Sequence, residues 1–522
     1  MNILGLTFHE LDHLFFLISI NLTLILLGLI KTWCMESIQK QPEVKNFVNG
    51  EFTRNGQPTM DVINPSTGEV ISTVPLSGIQ EVDAAVKAAK AAYPSWSSMT
   101  SKERVLIFFR YRALLEKHID ELTNLVHLEN GKTLGESRAE VEKSMELCEF
   151  ACSMPQIISN EVQEVSKGVE CRIERKPLGV VASIAPFNFP NMVPHWTLPN
   201  ALVLGNTMVM KPSESVPLSV MRIAELLKDA GLPDGVFNIV NGGKETVEAI
   251  CDHPDIEAVS FVGSTAVAKI VYKRATSNLK RCVALGGAKN HLLVLPDAHL
   301  DMTASNVVAS MSGCAGQRCM AAAVMVGVGS VQHIIDRMCE EAKKIVPGST
   351  LGSVISKEAK DRIEGYITAA EDAGATILVD GRGATVEGKE NGYYVGPTII
   401  DHVTTDMSVA TEEIFGPVIS IIRAKDLDEA IRIENNSDYG NAAAVFTQSG
   451  GFAKEVMQRA SAGMIGVNIG VPVPREPFPF GGWNDSKFGV GDITGRSSIE
   501  FWTQNKKTTI KWNPEAKTNW MS

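Results

Sequence analysis

A chain of 522 residues, 44% of them hydrophobic, with 43 glycines and 24 prolines, excludes a collagen-like or mostly disordered protein. Its length suits two to four domains at roughly 100–200 residues each. Forty-nine basic residues against 60 acidic ones leave a net charge of −11. Such a surface repels phosphate backbones, and the nearest basic cluster, Lys506-Lys507 with Lys511, is too short to make a nucleic-acid site. Nine cysteines without a C-x-x-C, the closest pairs being Cys148/Cys152 and Cys314/Cys319, exclude a disulfide framework and a zinc finger. The ten histidines form no H-E-x-x-H, so no metal site is indicated.

The first composition shift is Leu14 to Ile30, 17 residues without a charge. That is the lower edge of the roughly 17–25 residues that cross a bilayer. Glu10 and Asp12 before it and Lys31 after it do not suit a secretory signal. A membrane anchor is weighed against a non-native or upstream-start extension, and the second is favoured, because Met35 opens a hydrophilic stretch that makes an ordinary soluble start.

From Met35 the pattern is α/β. Strand-like segments at Asn46–Phe52 and Met60–Ile63 precede helical periodicity at Ile79–Ala92, Lys102–His118, Ile119–Glu129 and Glu136–Cys152. Gly168–Arg175 alternates like a strand ribbon and is expected to form an arm. Strands at 179–186, Thr207–Lys211, Val236–Val240 and Ala258–Val262 then alternate with helices at Leu198–Leu204, Pro217–Ala230, Glu245–Asp252 and Gly263–Ala275. Units of this length imply a parallel sheet with right-handed crossovers, whose ligands sit at the carboxyl ends of the strands. A second α/β unit starts near Asn290, with a helix at Met302–Gly313 and further strands at 375–379, 418–423 and 442–446.

Four segments carry chemistry. In GCAGQRCMA (313–321) small residues leave the Cys319 sulfur open to substrate, and Arg318 beside it is expected to favour the thiolate. In IAPFNFPN (184–191) Asn188 stands at a strand end, able with the Cys319 N–H to hold an oxyanion. MKPSE (210–214) offers Lys211 and Glu214 to the vicinal hydroxyls of a ribose. SFVGST (260–265) leads a strand into a helix N-terminus that suits a pyrophosphate. The G-x-G-x-x-G fingerprint is missing, and Val126 rules out a Walker A loop around Gly131-Lys132-Thr133.

In their order and spacing, FNFP, MKPSE, FVGST, GGAKN, GQRCMA, EEIFGPV (412–418) and PFPFGGWNDSKFG (477–489) resemble the aldehyde dehydrogenase superfamily, from about Asn46 to Trp512. Gln317-Arg318-Cys319-Met320 with FNFP and GAKNH (287–291) is most similar to its methylmalonate-semialdehyde dehydrogenase branch. The resemblance implies two doubly wound parallel-sheet domains and a small β-arm for oligomerisation. The NAD-binding, Rossmann-like domain is expected at 37–155 and 177–288, the catalytic domain at 289–486, and the arm and tail at 156–176 and 487–512, with 1–34 a hydrophobic extension. It implies Cys319 as nucleophile and Asn188 as oxyanion donor, with Ala185 and Phe187 lining the nicotinamide side. Lys211, Glu214 and Ser215 would meet the adenosine half, Gly263 and Ser264 the pyrophosphate, Glu413 and Phe415 the nicotinamide ribose, and Arg318 the substrate carboxylate.

One departure bears on the reaction. Hydrolytic members place a general-base glutamate 35 residues before the nucleophile, where this chain has Ala284 in Ala284-Leu285-Gly286-Gly287. Without it water is a poor acceptor, and coenzyme A is expected as co-substrate instead. A second substrate-holding arginine expected near Lys143 is lysine, which cannot pair a carboxylate bidentately. The expected function is NAD-dependent oxidation of methylmalonate or malonate semialdehyde to propionyl-CoA or acetyl-CoA with loss of CO2. The alternatives are a hydrolytic aldehyde dehydrogenase and a catalytically silent binding protein. A homo-oligomer, dimer or tetramer, is expected. So is a mitochondrial location by resemblance, although no transit peptide is readable and a cytosolic or tethered chain stays open.

Overall fold

The computed structural model describes residues 41–512, so the apolar segment 14–30 lies outside the described residues. No described helix is long and apolar enough to cross a membrane. Two sheets organise the chain. The first has eight strands, and its centre is five parallel ones in the order Phe237–Ile239, Thr207–Lys211, Val180–Ile184, Ile256–Val262, Arg281–Leu285. The three central strands are buried almost throughout, which explains their continuous apolar runs: a sheet covered by helices on both faces has no polar side.

The second sheet has seven strands in the order Thr376–Val379, Thr398–Asp401, Val418–Ala424, Ala322–Val328, Asn290–Val294, Ala442–Phe446, Met464–Val467. All neighbours are parallel except the first pair. The third sheet is the arm, in which Val169–Pro177 lies between Glu161–Ser166 and Thr503–Lys511. It therefore has three strands, because the tail adds a nine-residue ladder to the ribbon.

Several element boundaries differ from expectation for local reasons. Asn46–Phe52 is a hairpin, Asn46–Val48 against Glu51–Thr53, because Asn49 and Gly50 turn the chain at φ 51° and 80°. The helix expected at Leu198–Leu204 begins six residues earlier, as Met192–Val203. Pro194 falls in its first turn, where a missing N–H breaks no helical bond. The first long helix runs on to Ser98, through Pro94. Within the expected tail, Lys487–Phe488 instead adds antiparallel to Arg281–Leu285, and the arm ladder starts only at Thr503.

Candidate active site

A cleft of about 800 Å³ opens at the carboxyl ends of the parallel strands of the first sheet and is closed on its far side by the second unit. Ala185, Phe187, Asn188, Lys211, Glu214, Gly263, Ser264, Cys319, Glu413 and Phe415 all line it. Ser215 does not; Ser213, two residues earlier in the same turn, stands there, its Oγ accepting from the Ser215 N–H at 3.3 Å.

At one end Lys211 Nζ donates to Glu214 Oε2 at 2.8 Å and to the Pro212 carbonyl at 2.7 Å. Lys211 sits on the last position of its strand, so the pair is presented at the strand end. The Lys211 ammonium holds the Glu214 carboxyl below its ordinary value, even against burial, which leaves an ionised acceptor in the cleft. Ser264 caps the helix Thr265–Ser277 without a side-chain cap bond, so first-turn N–H groups remain for an anion.

Glu413 lies deeper. The Ala288 N–H donates to its Oε1 at 2.8 Å, and a Cβ added at Gly287 would stand 2.3 Å from Oε2. Only glycine at 287 therefore lets the carboxylate reach this position. Phe415, held at φ 54°, meets Phe187 edge-on with ring centroids 5.9 Å apart. An anion-accepting helix end, a ribose-sized acid–base pair and a buried carboxylate along one cleft fit a dinucleotide.

The thiol sits between the two sheets. Cys314 and Ala315 are left-handed at φ 51° and 52°, a costly conformation for residues with a Cβ, and Gly316 follows at 72°. This turn delivers Cys319 to the cleft. Asn290 and Asn441 each donate Nδ2 to the Cys319 carbonyl at 2.8 Å and fix its backbone. Burial and the nearby Glu413 charge push the Cys319 thiol up to about 12, while its own N–H, Arg318 and the Met320 N–H pull the other way. Arg318 thus acts in the expected direction, toward the thiolate, but burial and Glu413 outweigh it. Arg318 opens a turn closed by the Ala321 N–H on its carbonyl at 3.1 Å, and its side chain turns from the cleft to Cys314 Sγ (3.3 Å) and Glu136 (3.6 Å).

Asn188 is 7% exposed and donates Nδ2 to the Gln317 carbonyl at 3.0 Å, leaving its second amide N–H free to turn to an oxyanion. Its position rests on a fully buried ion pair that carries no sequence motif. Lys132 Nζ reaches Glu140 Oε2 at 2.5 Å and the Asn188 carbonyl at 2.8 Å. Glu140 Oε1 accepts from the N–H groups of Asn191 and Met192 at 2.8 and 3.0 Å, which anchors the start of Met192–Val203. Lys143, by contrast, is held by Glu476 at 2.6 Å and Glu146 at 3.0 Å and does not line the cleft.

The strand before the cleft also changes one reading. Ala284 is fully buried and points into an apolar cluster with Ala182, Ile184, Val209 and Phe261, away from the thiol. Leu285, pointing the other way by the strand's period of two, shares a cluster with Met320 and Phe480, against which Cys319 packs. The side chain on the thiol's side is therefore residue 285, and it is apolar.

A thiol, an amide donor and a dinucleotide-shaped cleft between two α/β units are the features of a dehydrogenase site. Residues 52–508 match the model of the aldehyde dehydrogenase family, and the chain belongs to that family. It is 44% identical over 485 residues to malonate-semialdehyde dehydrogenase 2 of Bacillus thuringiensis (strain Al Hakam), covering 91% of this chain and 99% of that one. A methylmalonate-semialdehyde dehydrogenase structure from Oceanimonas doudoroffii superposes with a TM-score of 0.89 at 40% identity, over 91% of this chain and 99% of the other. A Sinorhizobium meliloti 1021 protein, assigned as a methylmalonate-semialdehyde dehydrogenase and complexed with NAD, gives 0.90 at 39% identity over the same shares.

Proposed function

We propose that this chain oxidises methylmalonate or malonate semialdehyde with NAD and passes the acyl group to coenzyme A, releasing CO2. What carries the reading is the arrangement of Cys319 and Asn188 on a dinucleotide-shaped cleft with no carboxylate on the thiol's side at 284 or 285. The names of the similar proteins support the substrate class.

Lys211 and Glu214 would hold the adenosine ribose, the Thr265–Ser277 N-terminus the pyrophosphate, and Glu413 the second ribose. NAD, when bound, supplies the hydride acceptor. The Cys319 sulfur adds to the aldehyde carbon, and the Asn188 amide with the Cys319 N–H holds the oxygen as it becomes an anion. Oxidation leaves a thioester on Cys319. A substrate carboxylate β to that carbonyl leaves as CO2, the carbon it leaves takes up a proton from water, and the coenzyme A thiol then takes the acyl group and frees the sulfur.

Malonate semialdehyde with NAD, assayed with and without coenzyme A, tests this. Acyl-CoA formed in step with NADH is expected, and NADH release that ignores coenzyme A would remove the acylating step. One observation favours a hydrolytic second reading: Glu413 is a buried carboxyl in the same cleft, and its proton affinity is raised by that burial. Under that reading the free acid forms at full rate without coenzyme A.

A further inference from the structure

The turn that carries the nucleophile is held from outside. The Cys314 N–H donates to Glu136 Oε1 at 2.5 Å, and Cys314 and Ala315, at φ 51° and 52°, need such a contact to keep a conformation that residues with a Cβ otherwise leave. Glu136 is itself fixed. It stands in the first turn of the helix Leu134–Ile157, and its Oε2 accepts from the N–H and the hydroxyl of the cap Thr133 at 3.1 and 2.9 Å. One carboxylate oxygen thus closes the helix start, and the other reaches 178 residues along the chain to the turn.

Arg318 completes the grip. Its guanidinium folds back over Gly313, where a Cβ would stand 2.1 Å from Nη2, so glycine leaves it room there. From that place Nε donates to Cys314 Sγ at 3.3 Å, and Nη2 lies 3.6 Å from Glu136 Oε1. One turn further along the same helix face, Glu140 Oε1 accepts from the N–H groups of Asn191 and Met192, just after Asn188. The segments that carry the two oxyanion donors, the Cys319 N–H and the Asn188 amide, are therefore each held by a carboxylate of one helix.

The geometry points to Glu136 as a positioning residue for Cys319: it locks the turn 313–316 to the helix that also holds the Asn188 segment, and so sets the spacing of the thiol and the two oxyanion donors. Glu136 does not line the cleft and acts through the turn. The inference rests on Cys319 accepting the aldehyde, but not on what later accepts the acyl group.

Three variants of the full chain test it. Each is followed by NADH formation from malonate semialdehyde with NAD and coenzyme A, by a thermal melt, and by iodoacetamide labelling of Cys319 read by mass spectrometry of its peptide. Glu136→Ala should lower kcat by about tenfold or more, as small misplacements of reacting groups do, while KM for NAD moves less than about twofold. Its Cys319 should nevertheless label about fivefold faster, because a freed turn brings the buried thiol toward water. Glu136→Gln keeps the helix cap and an acceptor for the Cys314 N–H, and should hold both rates within about threefold of wild type. Thr133→Val removes the cap hydroxyl and leaves the Cys314 contact, so it should lower the melting temperature yet keep kcat and labelling within about twofold. Wild-type rates in Glu136→Ala would overturn the proposal. So would a Thr133→Val chain that loses as much kcat as Glu136→Ala, which would make helix stability the cause. A wild type that yields no NADH from malonate semialdehyde would count against the substrate reading alone, and the labelling rates of the three variants would still decide the role of Glu136.

Discussion

At the scale of single residues, the site separates what a motif announces from what only the fold decides. Cys319, Asn188, Lys211 and Glu214 were readable as cleft-lining because each follows a strand or stands in a small-residue turn, whereas Glu413 was reached only through the family resemblance. Arg318 favours the thiolate as its place in the sequence suggests, yet a neighbour in sequence is not a neighbour in direction: its guanidinium turns from the cleft to Cys314 and Glu136. The same rule moved the missing base from 284 to 285. Ala284→Glu would bury a carboxylate among Ala182, Ile184 and Phe261, and it should destabilise the chain by several kcal/mol without adding hydrolysis. Leu285→Glu places the carboxylate on the thiol's side, and CoA-independent acid production should rise about tenfold, as general-base catalysis commonly gives at least that much. Thermal melts and product analysis of the two variants separate these outcomes. Gain of hydrolysis in Ala284→Glu alone would show that the strand presents its faces the other way.

At the scale of elements, the segment carrying Asn188 is placed by contacts too distant in sequence to leave a local pattern. Lys132 and Glu140 lie 56 and 51 residues from the backbone groups they bind, on the loop before and the body of the helix Leu134–Ile157. The sequence shows there only an amphipathic helix after a Gly-Lys-Thr turn, so the helix was predictable and its second task was not. Removing one partner leaves the other as an unpaired buried charge, which typically costs about 3–5 kcal/mol. Lys132→Met should therefore lower the melting temperature markedly and, in the fraction that folds, lower kcat more than it raises KM, since Asn188 loses its anchor without any change at the adenosine end. Replacing both partners, Lys132→Met with Glu140→Leu, should recover more stability than kcat. Equal recovery of the two would mean that Asn188 is held by other contacts.

At the scale of the whole molecule, the parallel sheets were legible and the arm only in part, for one physical reason. Strand–helix alternation is a local pattern that repeats every few turns of chain, whereas the tail strand pairs with a partner some 330 residues earlier, Thr503 against Pro177 through Lys511 against Val169. The outer strand Glu161–Ser166 is exposed along its whole length, with Val162 and Val165 presenting 61% and 54% of their surface. Among the described residues its outer edge carries unpaired backbone groups beside these two valines, and such an edge can take a further strand. Two strands alone are marginal in water, so the ribbon depends on the tail for its shape. Ending the chain after Gln504 keeps the buried Trp502 and the Thr503 carbonyl that Arg281 binds, and removes the rest of the nine-residue ladder. Such a chain should keep its far-UV signature and its Cys319 alkylation rate, yet elute in light-scattering chromatography as a smaller species than the full chain. A companion chain starting at Met35 should match the full chain in both respects, because every residue that lines the cleft lies between Ile184 and Phe415. If the tail truncation eluted at the size of the full chain, the arm would carry no subunit contact, and the exposed valines of Glu161–Ser166 would need another explanation.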